Sequence, residues 1–215
     1  HRGQGHPARC VPLVGPKGAP ESLLGLGPAH SLITGRRADD DATGPTMLLR
    51  RPLTPDGRID GPADTAMVVP DFRGGLTVSP DGRWVAFEGD VAADPWVEVR
   101  PFGSASDASW RVSDPLGISP LWTRDGSTLT FLEPTSGSVV AVPVESSGGT
   151  FRPGPPRRIP SPFANRLVTD GADLIGFTAD QRPVMVEPAG ELAGGGEMWV
   201  FVTGLERMLG GGVRR

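Results

Sequence analysis

The sequence is poor in the residues on which disulfides and membrane spans depend. Cys10 is the single cysteine among 215 residues, so no disulfide framework can form within the chain. No run of 18 or more apolar residues occurs, and we therefore expect no membrane span in this chain. A chain of this length is nevertheless long enough to bury a core of its own.

Lysine is nearly missing as well. Of the 21 lysines and arginines only Lys17 is a lysine, and no strand pattern precedes it. A protein kinase needs a glycine-rich phosphate loop, a strand lysine, a catalytic aspartate loop and a metal-binding Asp-Phe-Gly. Residues 71–73 only resemble that last tripeptide, because they read Asp-Phe-Arg. The chain therefore lacks the catalytic part of a kinase.

The charge distribution argues against nucleic-acid binding. The formal net charge is −4, and the arginines are scattered, with no cluster larger than a pair. A nucleic-acid surface requires a basic face and usually a basic domain. We predict that no nucleic acid is among the partners.

Signals for hydrolysis and for metal binding are also missing. No Gly-x-Ser-x-Gly elbow occurs, which removes the usual signature of a nucleophilic serine. Cys10 and the histidines have a spacing that matches no zinc module. Residues 39–44 begin like a calcium-binding loop, but Arg50 stands where its bidentate glutamate belongs. We therefore predict no catalytic residue, no cofactor and no metal site. The histidines all lie in the unpatterned N-terminal stretch: His1, His6 and His30.

Glycine and proline, by contrast, are abundant. The 31 glycines and 24 prolines lie mostly between short apolar runs, which favours many short strands joined by turns. The alternative, partial disorder, fits the first 45 residues better than the rest. The chain begins HRGQGHPARC, without Met or a signal-peptide pattern, so we expect it to be a piece of a longer protein.

A repeated unit indicates the fold. Residues 76–90 (LTVSPDGRWVAFEGD) and 117–133 (GISPLWTRDGSTLTFLE) both place an Asp-Gly turn between two apolar runs. Ser-Pro-Asp-Gly suits a type I turn followed by a left-handed glycine, which joins antiparallel strands. Asp81 and Asp125 are 44 residues apart (125 − 81). Four-stranded blades of a β-propeller repeat at about this interval.

Hydrophobic patterning places the strands of the two clear units. Residues 84–87 are apolar on both faces, as expected for a strand between two sheets. Val97 and Val99 alternate with Glu98 and Arg100, the period of a half-buried strand. The predicted strands are 75–79, 83–88, 96–102 and 109–113 in one unit, and 117–122, 128–133, 138–144 and 157–159 in the next.

Fainter copies flank these units. Residues 174–187 repeat the hairpin, although Gln181 replaces the glycine after Asp180. Beyond it, we predict a third strand over 197–204 and a short helix over 205–210. Upstream, the predicted strands are 31–36, 46–53 and 66–70, with an ordinary turn at 53–60.

We therefore predict an all-β chain of about four four-stranded antiparallel blades, part of a larger propeller, with a short C-terminal helix. Seven residues could be assigned to a functional site, but their positions are better explained by turn geometry and by aromatic packing between blades. These residues are Asp81, Gly82, Trp84, Trp122, Asp125, Gly126 and Phe131. The predicted divisions are a degenerate blade with an irregular lead-in at 1–75, blades at 76–113 and 114–160, and a last blade with a tail at 161–215.

At these residues the chain resembles the TolB-type, WD-like propeller repeats of bacteria. VSPDGRWVAF (78–87) and PLWTRDGSTLTF (120–131) carry the likeness. WVEVRPF (96–102), SWRVSD (109–114) and AVPVESSGGTFRPGPPRRI (141–159) are similar to propellers fused behind eukaryotic-like serine/threonine kinases. The resemblance covers about 76–210 and implies a signalling parent protein with this part outside the cytoplasmic membrane, in the periplasm or at the cell surface.

Three functions fit a propeller without a catalytic motif. The first is a non-catalytic interaction or sensor module, in which a central funnel takes a protein, a peptide or a small ligand. The second is an accessory domain of a prolyl-oligopeptidase-type serine peptidase, whose catalytic domain would lie elsewhere. The third is a structural scaffold without a small ligand. The domains that adjoin this chain in its gene would separate the first two.

Overall fold

A computed structural model of the chain shows antiparallel β-sheets joined by tight turns. Within the described ranges every regular element is a strand, and none of them contains a helix that could cross a membrane. The described residues are 21–37, 44–91, 94–104, 106–147, 149–159, 173–177 and 183–186.

The first sheet is a four-stranded meander. Its strands pair in chain order, each antiparallel to the next. The predicted strands at 31–36, 46–53 and 66–70 are present, and a strand before them completes the sheet. The turn at 53–60 lies between the third and the fourth strand and is closed by a bridge between Leu53 and Ile59. The strands are β1 (Ser22–Gly27), β2 (Ser31–Arg37), β3 (Thr46–Pro52) and β4 (Asp64–Val69).

The second sheet repeats this order and carries the first Asp-Gly turn. Its first strand begins at Phe72, a few residues before the predicted start of the blade at 76. Its last strand is only two residues long, so it covers little of the neighbouring sheet. The strands are β5 (Phe72–Val78), β6 (Trp84–Val91), β7 (Asp94–Pro101) and β8 (Trp110–Arg111).

The third sheet is a meander with an added arm. Its fourth strand, β13 (Arg157–Ile159), pairs with the third, β11 (Ser138–Ser147), as predicted for 157–159. The far end of β11 continues past the sheet and pairs with β12 (Thr150–Pro153), which the sequence pattern did not predict. The strands are β9 (Ile118–Trp122), β10 (Thr128–Glu133), β11 (Ser138–Ser147), β12 (Thr150–Pro153) and β13 (Arg157–Ile159).

A final antiparallel hairpin coincides with the predicted degenerate copy at 174–187 and begins one residue earlier, at Asp173. It consists of β14 (Asp173–Phe177) and β15 (Pro183–Val186). The turn at Asp180 and Gln181, the predicted strand at 197–204 and the predicted helix at 205–210 lie outside the described residues.

The sheets stand next to one another through their first strands. β1 contacts β5, β5 contacts β9, and β9 contacts β14. Successive four-stranded meanders that contact one another through their first strands have the arrangement of blades in a β-propeller. The predicted all-β propeller architecture is thereby confirmed.

Burial follows from this stacking. β6 alternates its side chains between two cores, so that Val85 and Phe87 face the first sheet while Trp84 and Ala86 face the third. All four are at most 3% exposed. The expectation for β7 was only partly right: Glu98 is buried as well, because Trp96 Nε1 and Arg100 Nε both donate to its carboxylate.

Candidate functional site

A cleft opens between the second and third sheets, at the side away from the first strands. Its volume is about 190 Å³. The floor comes from the third sheet, where Phe131 on β10 pairs with Val140 on β11 and Val140 pairs with Arg158 on β13. The opposite wall is the segment that follows β8. The lining residues are Val112, Asp114, Phe131, Glu133, Val140, Pro156, Arg157 and Arg158.

The cleft exists because β8 is short. Only Trp110 and Arg111 pair with β7, opposite Val99 and Glu98. The chain then leaves the ladder, although the N–H of Val112 still donates to Val97 O at 2.8 Å. In contrast, β10 and β11 pair along six residues. The outer part of the third sheet is therefore left without a full strand facing it.

One acid and one arginine at the rim neutralise each other. Arg158 Nη2 lies 2.9 Å from Glu133 Oε1, and the Ser136 hydroxyl donates to Glu133 Oε2. The Ser136 hydrogen bond lowers the pKa of Glu133; burial opposes this effect and Arg158 adds to it. Glu133 is therefore ionised at neutral pH and holds Arg158 in place.

Two further charges at the cleft have no such partner. Arg157 and Asp114 are both exposed, and within the described part of the chain neither forms a hydrogen bond or an ion pair through its side chain. The cleft thus presents an apolar floor, one uncompensated cation and one uncompensated anion. A guanidinium offers a planar fork of donors that matches a carboxylate, and Asp114 offers an acceptor for N–H groups.

The size of the cleft limits what it can hold. The volume is below the roughly 300–1,000 Å³ typical of pockets for drug-sized ligands, so it suits one or two side chains. Among the described residues no group of three or more His, Cys, Asp or Glu side chains could hold a metal ion.

The predicted residues Asp81 and Gly82 lie at the corner between β5 and β6. The Ser79 hydroxyl donates to Asp81 Oδ1 at 2.6 Å, and Arg83 Nε donates to Oδ2 at 2.7 Å. Burial would raise the pKa of Asp81, but the hydrogen bonds from Ser79 and Arg83 outweigh it and the pKa is lowered. Gly82 has φ +72°, the left-handed conformation that glycine adopts readily.

Asp125 and Gly126 form the same corner between β9 and β10. The Thr123 hydroxyl donates to Asp125 Oδ1 at 2.8 Å and is the main reason why the pKa of Asp125 is lowered. Gly126 also has φ +72°. All bonds of this aspartate stay within its own turn, and the two turn aspartates do not line the cleft.

Trp84, Trp122 and Phe131 lie in one core cluster between the second and third sheets. The indole N–H groups of Trp84 and Trp122 are buried, and among the described residues neither has a hydrogen-bond partner. Of these three residues only Phe131 also lines the cleft, so the structure brings the tryptophans together in the core and not at the candidate site.

Sequence reasoning missed the charged residues of the cleft and the arm formed by β11 and β12. Phe151 on β12 is 1% exposed and packs against Trp84, Trp110 and Trp122, with ring centroids 5.5, 5.3 and 6.2 Å away. A lone phenylalanine in a stretch rich in glycine and proline was the available signal. Arg157 and Asp114 gave none, because each resembles any exposed charge.

No protein-family model matches the chain, and no curated protein matches it. Solved structures do. TolB from Acinetobacter baumannii is 16% identical with a TM-score of 0.49, over 87% of this chain and 42% of that one. A putative 6-phosphogluconolactonase from Bacteroides fragilis NCTC 9343 is 14% identical with a TM-score of 0.39, over 66% of this chain and 39% of that one.

The chain thus spans about two fifths of the length of each of these structures. Such likenesses concern the fold alone and assign no role to any residue. The predicted propeller blades are confirmed by the strand order and by the contacts between first strands. The link to serine/threonine kinases stays a prediction.

Proposed function

We propose that this chain is a non-catalytic interaction module that binds a peptide segment of a protein partner in the cleft between its second and third sheets. The observation that carries the proposal is the cleft itself, with an apolar floor at Phe131 and Val140 and the uncompensated charges of Arg157 and Asp114 at its rim. Binding sites commonly combine an apolar surface with a few placed polar groups.

The proposal includes the context suggested by the sequence. The motifs at 96–102, 109–114 and 141–159 resemble propellers attached to bacterial serine/threonine kinases. We propose that the parent protein is of this signalling type. The open reading frame tests this part: a kinase domain upstream supports it, and a downstream α/β-hydrolase domain contradicts it.

Selection from a random peptide library displayed on phage, with the immobilised chain as bait, tests the binding function. We expect enriched peptides that lose binding to a Val112→Trp variant, because an indole at this position fills the cleft. The matched control is Arg152→Gln, an exposed position on β12 that does not line the cleft.

Enriched peptides should bind the control variant as tightly as the unsubstituted chain. Circular dichroism and the denaturation midpoint of each variant establish that it is folded. Failure to enrich any peptide, or equal binding to the folded Val112→Trp variant, would contradict the proposed function.

A further inference from the structure

We infer that the cleft recognises a peptide in which a carboxylate side chain adjoins an apolar one, an inference that rests on the interaction function proposed above. The recognising groups are the guanidinium of Arg157 and the apolar floor made by Val112, Phe131 and Val140.

The charge arrangement selects an acid. Glu133 accepts two hydrogen bonds from Arg158 Nη2, at 2.9 and 3.1 Å, so this pair is already satisfied. Arg157 is left as the cation of the cleft that can form a new ion pair. Hydrogen bonds between arginine and a carboxylate are stronger than neutral ones, because both groups are charged.

The floor selects an apolar neighbour for that acid. Phe131 and Val140 are only 3% and 7% exposed, and Val112 is half-buried beside them. An aliphatic side chain placed on these three residues removes its own apolar surface from water and covers what Val112 still exposes. The small volume admits one such side chain and argues against a large planar cofactor.

Asp114 on the opposite wall determines which polar groups of the peptide can face it. Its carboxylate repels a second acid and accepts N–H groups from the peptide backbone. A free apolar acid, such as 4-methylpentanoate, offers the carboxylate and the aliphatic group but no amide for Asp114. We therefore expect the peptide to bind more tightly than the free acid.

Titrations followed by amide chemical shifts of Val112, Asp114 and Arg157 test the inference. The probes are the acetylated, amidated dipeptides Leu-Asp, Leu-Asn and Leu-Lys, with 4-methylpentanoate as the free acid. Leu-Asp should bind roughly tenfold more tightly than Leu-Asn, as expected for one added charge-assisted contact. Arg157→Gln should abolish this difference, and Arg157→Glu should shift the preference to Leu-Lys. Arg152→Gln should leave it unchanged.

Equal affinity for Leu-Asp and Leu-Asn would overturn the inference, as would a preference that survives in Arg157→Gln. Equal binding of 4-methylpentanoate and Leu-Asp would overturn the assignment to a peptide. If the phage selection succeeds while these titrations show no acid preference, only the inference fails. If no peptide is enriched, the proposed function fails with it.

Discussion

The two faces of the second sheet are packed in different ways. Towards the first sheet the core is aliphatic and phenylalanine-rich, and every member comes from a strand of the two meanders: Ile33, Leu48, Val69, Phe72, Val85 and Phe87. Towards the third sheet the core combines aliphatic side chains with the indoles of Trp84 and Trp122 and the ring of Phe131, and it is completed by Phe151 from the arm beyond the meander. The arm is also tied to the second sheet by Arg83 Nη2, which donates to Ser146 O at 3.0 Å.

This difference has a cause in strand length. β4 is six residues long, whereas β8 has only two, so the third sheet faces an incomplete neighbour. One end of that incomplete interface is filled by Phe151, and the other end remains open as the cleft. The second sheet therefore has one filled interface, towards the first sheet, and one that is left open at the cleft, towards the third.

The largest expected effect follows from removing the ring that closes the aromatic interface. Phe151→Ala should lower the free energy of unfolding by about 3–5 kcal/mol, because a buried aromatic side chain is replaced by a cavity. Equilibrium unfolding in urea measures the loss.

Two conservative variants give the comparison between the interfaces. Phe151→Leu loses three ring contacts, whereas Phe87→Leu loses one ring contact, to Phe72, and the contact with the Arg100 guanidinium 5.6 Å from its ring centroid. At about 0.5–1.5 kcal/mol for each ring pair and a similar amount for the cation–π contact, Phe151→Leu should be the more damaging by about 0.5–1.5 kcal/mol. Equal losses would show that the additional ring contacts of Phe151 contribute nothing beyond the burial of its side chain.

In the two Asp-Gly turns the larger loss of stability should fall on the side of the first sheet, at Gly82, and the smaller loss at Gly126. Gly82 and Gly126 have the same φ, but a Cβ on Gly82 would lie 2.8 Å from Pro28 of the first sheet, against 3.4 Å from Pro80 for Gly126. The left-handed conformation alone costs alanine about 1–2 kcal/mol. Gly82→Ala should therefore destabilise by about 2–3 kcal/mol and Gly126→Ala by about 1 kcal/mol, adding the clash to the conformational cost. Thermal unfolding of both variants checks the order, which an equal shift would refute.

The turn that supplies Pro28 offers a stabilising change. Ala29 and His30 both have positive φ, at 52° and 53°. Asn and Gly adopt this conformation more readily. The double substitution Ala29→Asn with His30→Gly should raise the free energy of unfolding by about 1 kcal/mol. A lower denaturation midpoint in the double variant would mean that these side chains contribute contacts worth more than the strain.

The smallest expected effect lies at the rim of the cleft. Because the pKa of Glu133 is lowered in the folded chain, its stabilisation is present above the ordinary value of 4.5 and is lost as pH falls through the lowered pKa. Glu133→Gln should cost about 0.5–1 kcal/mol at pH 7, since Arg158 is largely exposed. The cost should shrink towards zero below pH 4.5 in urea titrations. A cost that does not change with pH would rule out the ion pair as its source.

The sequence predicted what short-range chemistry determines. The corners at Asp81 and Asp125 follow from Asp-Gly flanked by apolar runs, and the uninterrupted apolar run at 84–87 placed β6 between two sheets. The turn at Ala29 and His30 was not predicted, because alanine does not signal a left-handed conformation and a single histidine is only a weak signal for one.

The candidate site was beyond sequence reasoning for a different reason. The cleft is a consequence of the early end of β8 and of the spacing between two sheets, and both are set by tertiary packing. Arg157 and Arg158 are adjacent in sequence, yet only Arg158 pairs with Glu133, 25 residues away. No local pattern distinguishes them.

The measurement that tests the central claim most directly is a nuclear Overhauser experiment on the aromatic side chains. Trp84 belongs to the second sheet and Trp122 to the third, and both are packed against the ring of Phe151. We expect cross-peaks from the Phe151 ring protons to the indole protons of both tryptophans. Their absence in the folded chain would contradict the face-to-face packing of the two sheets.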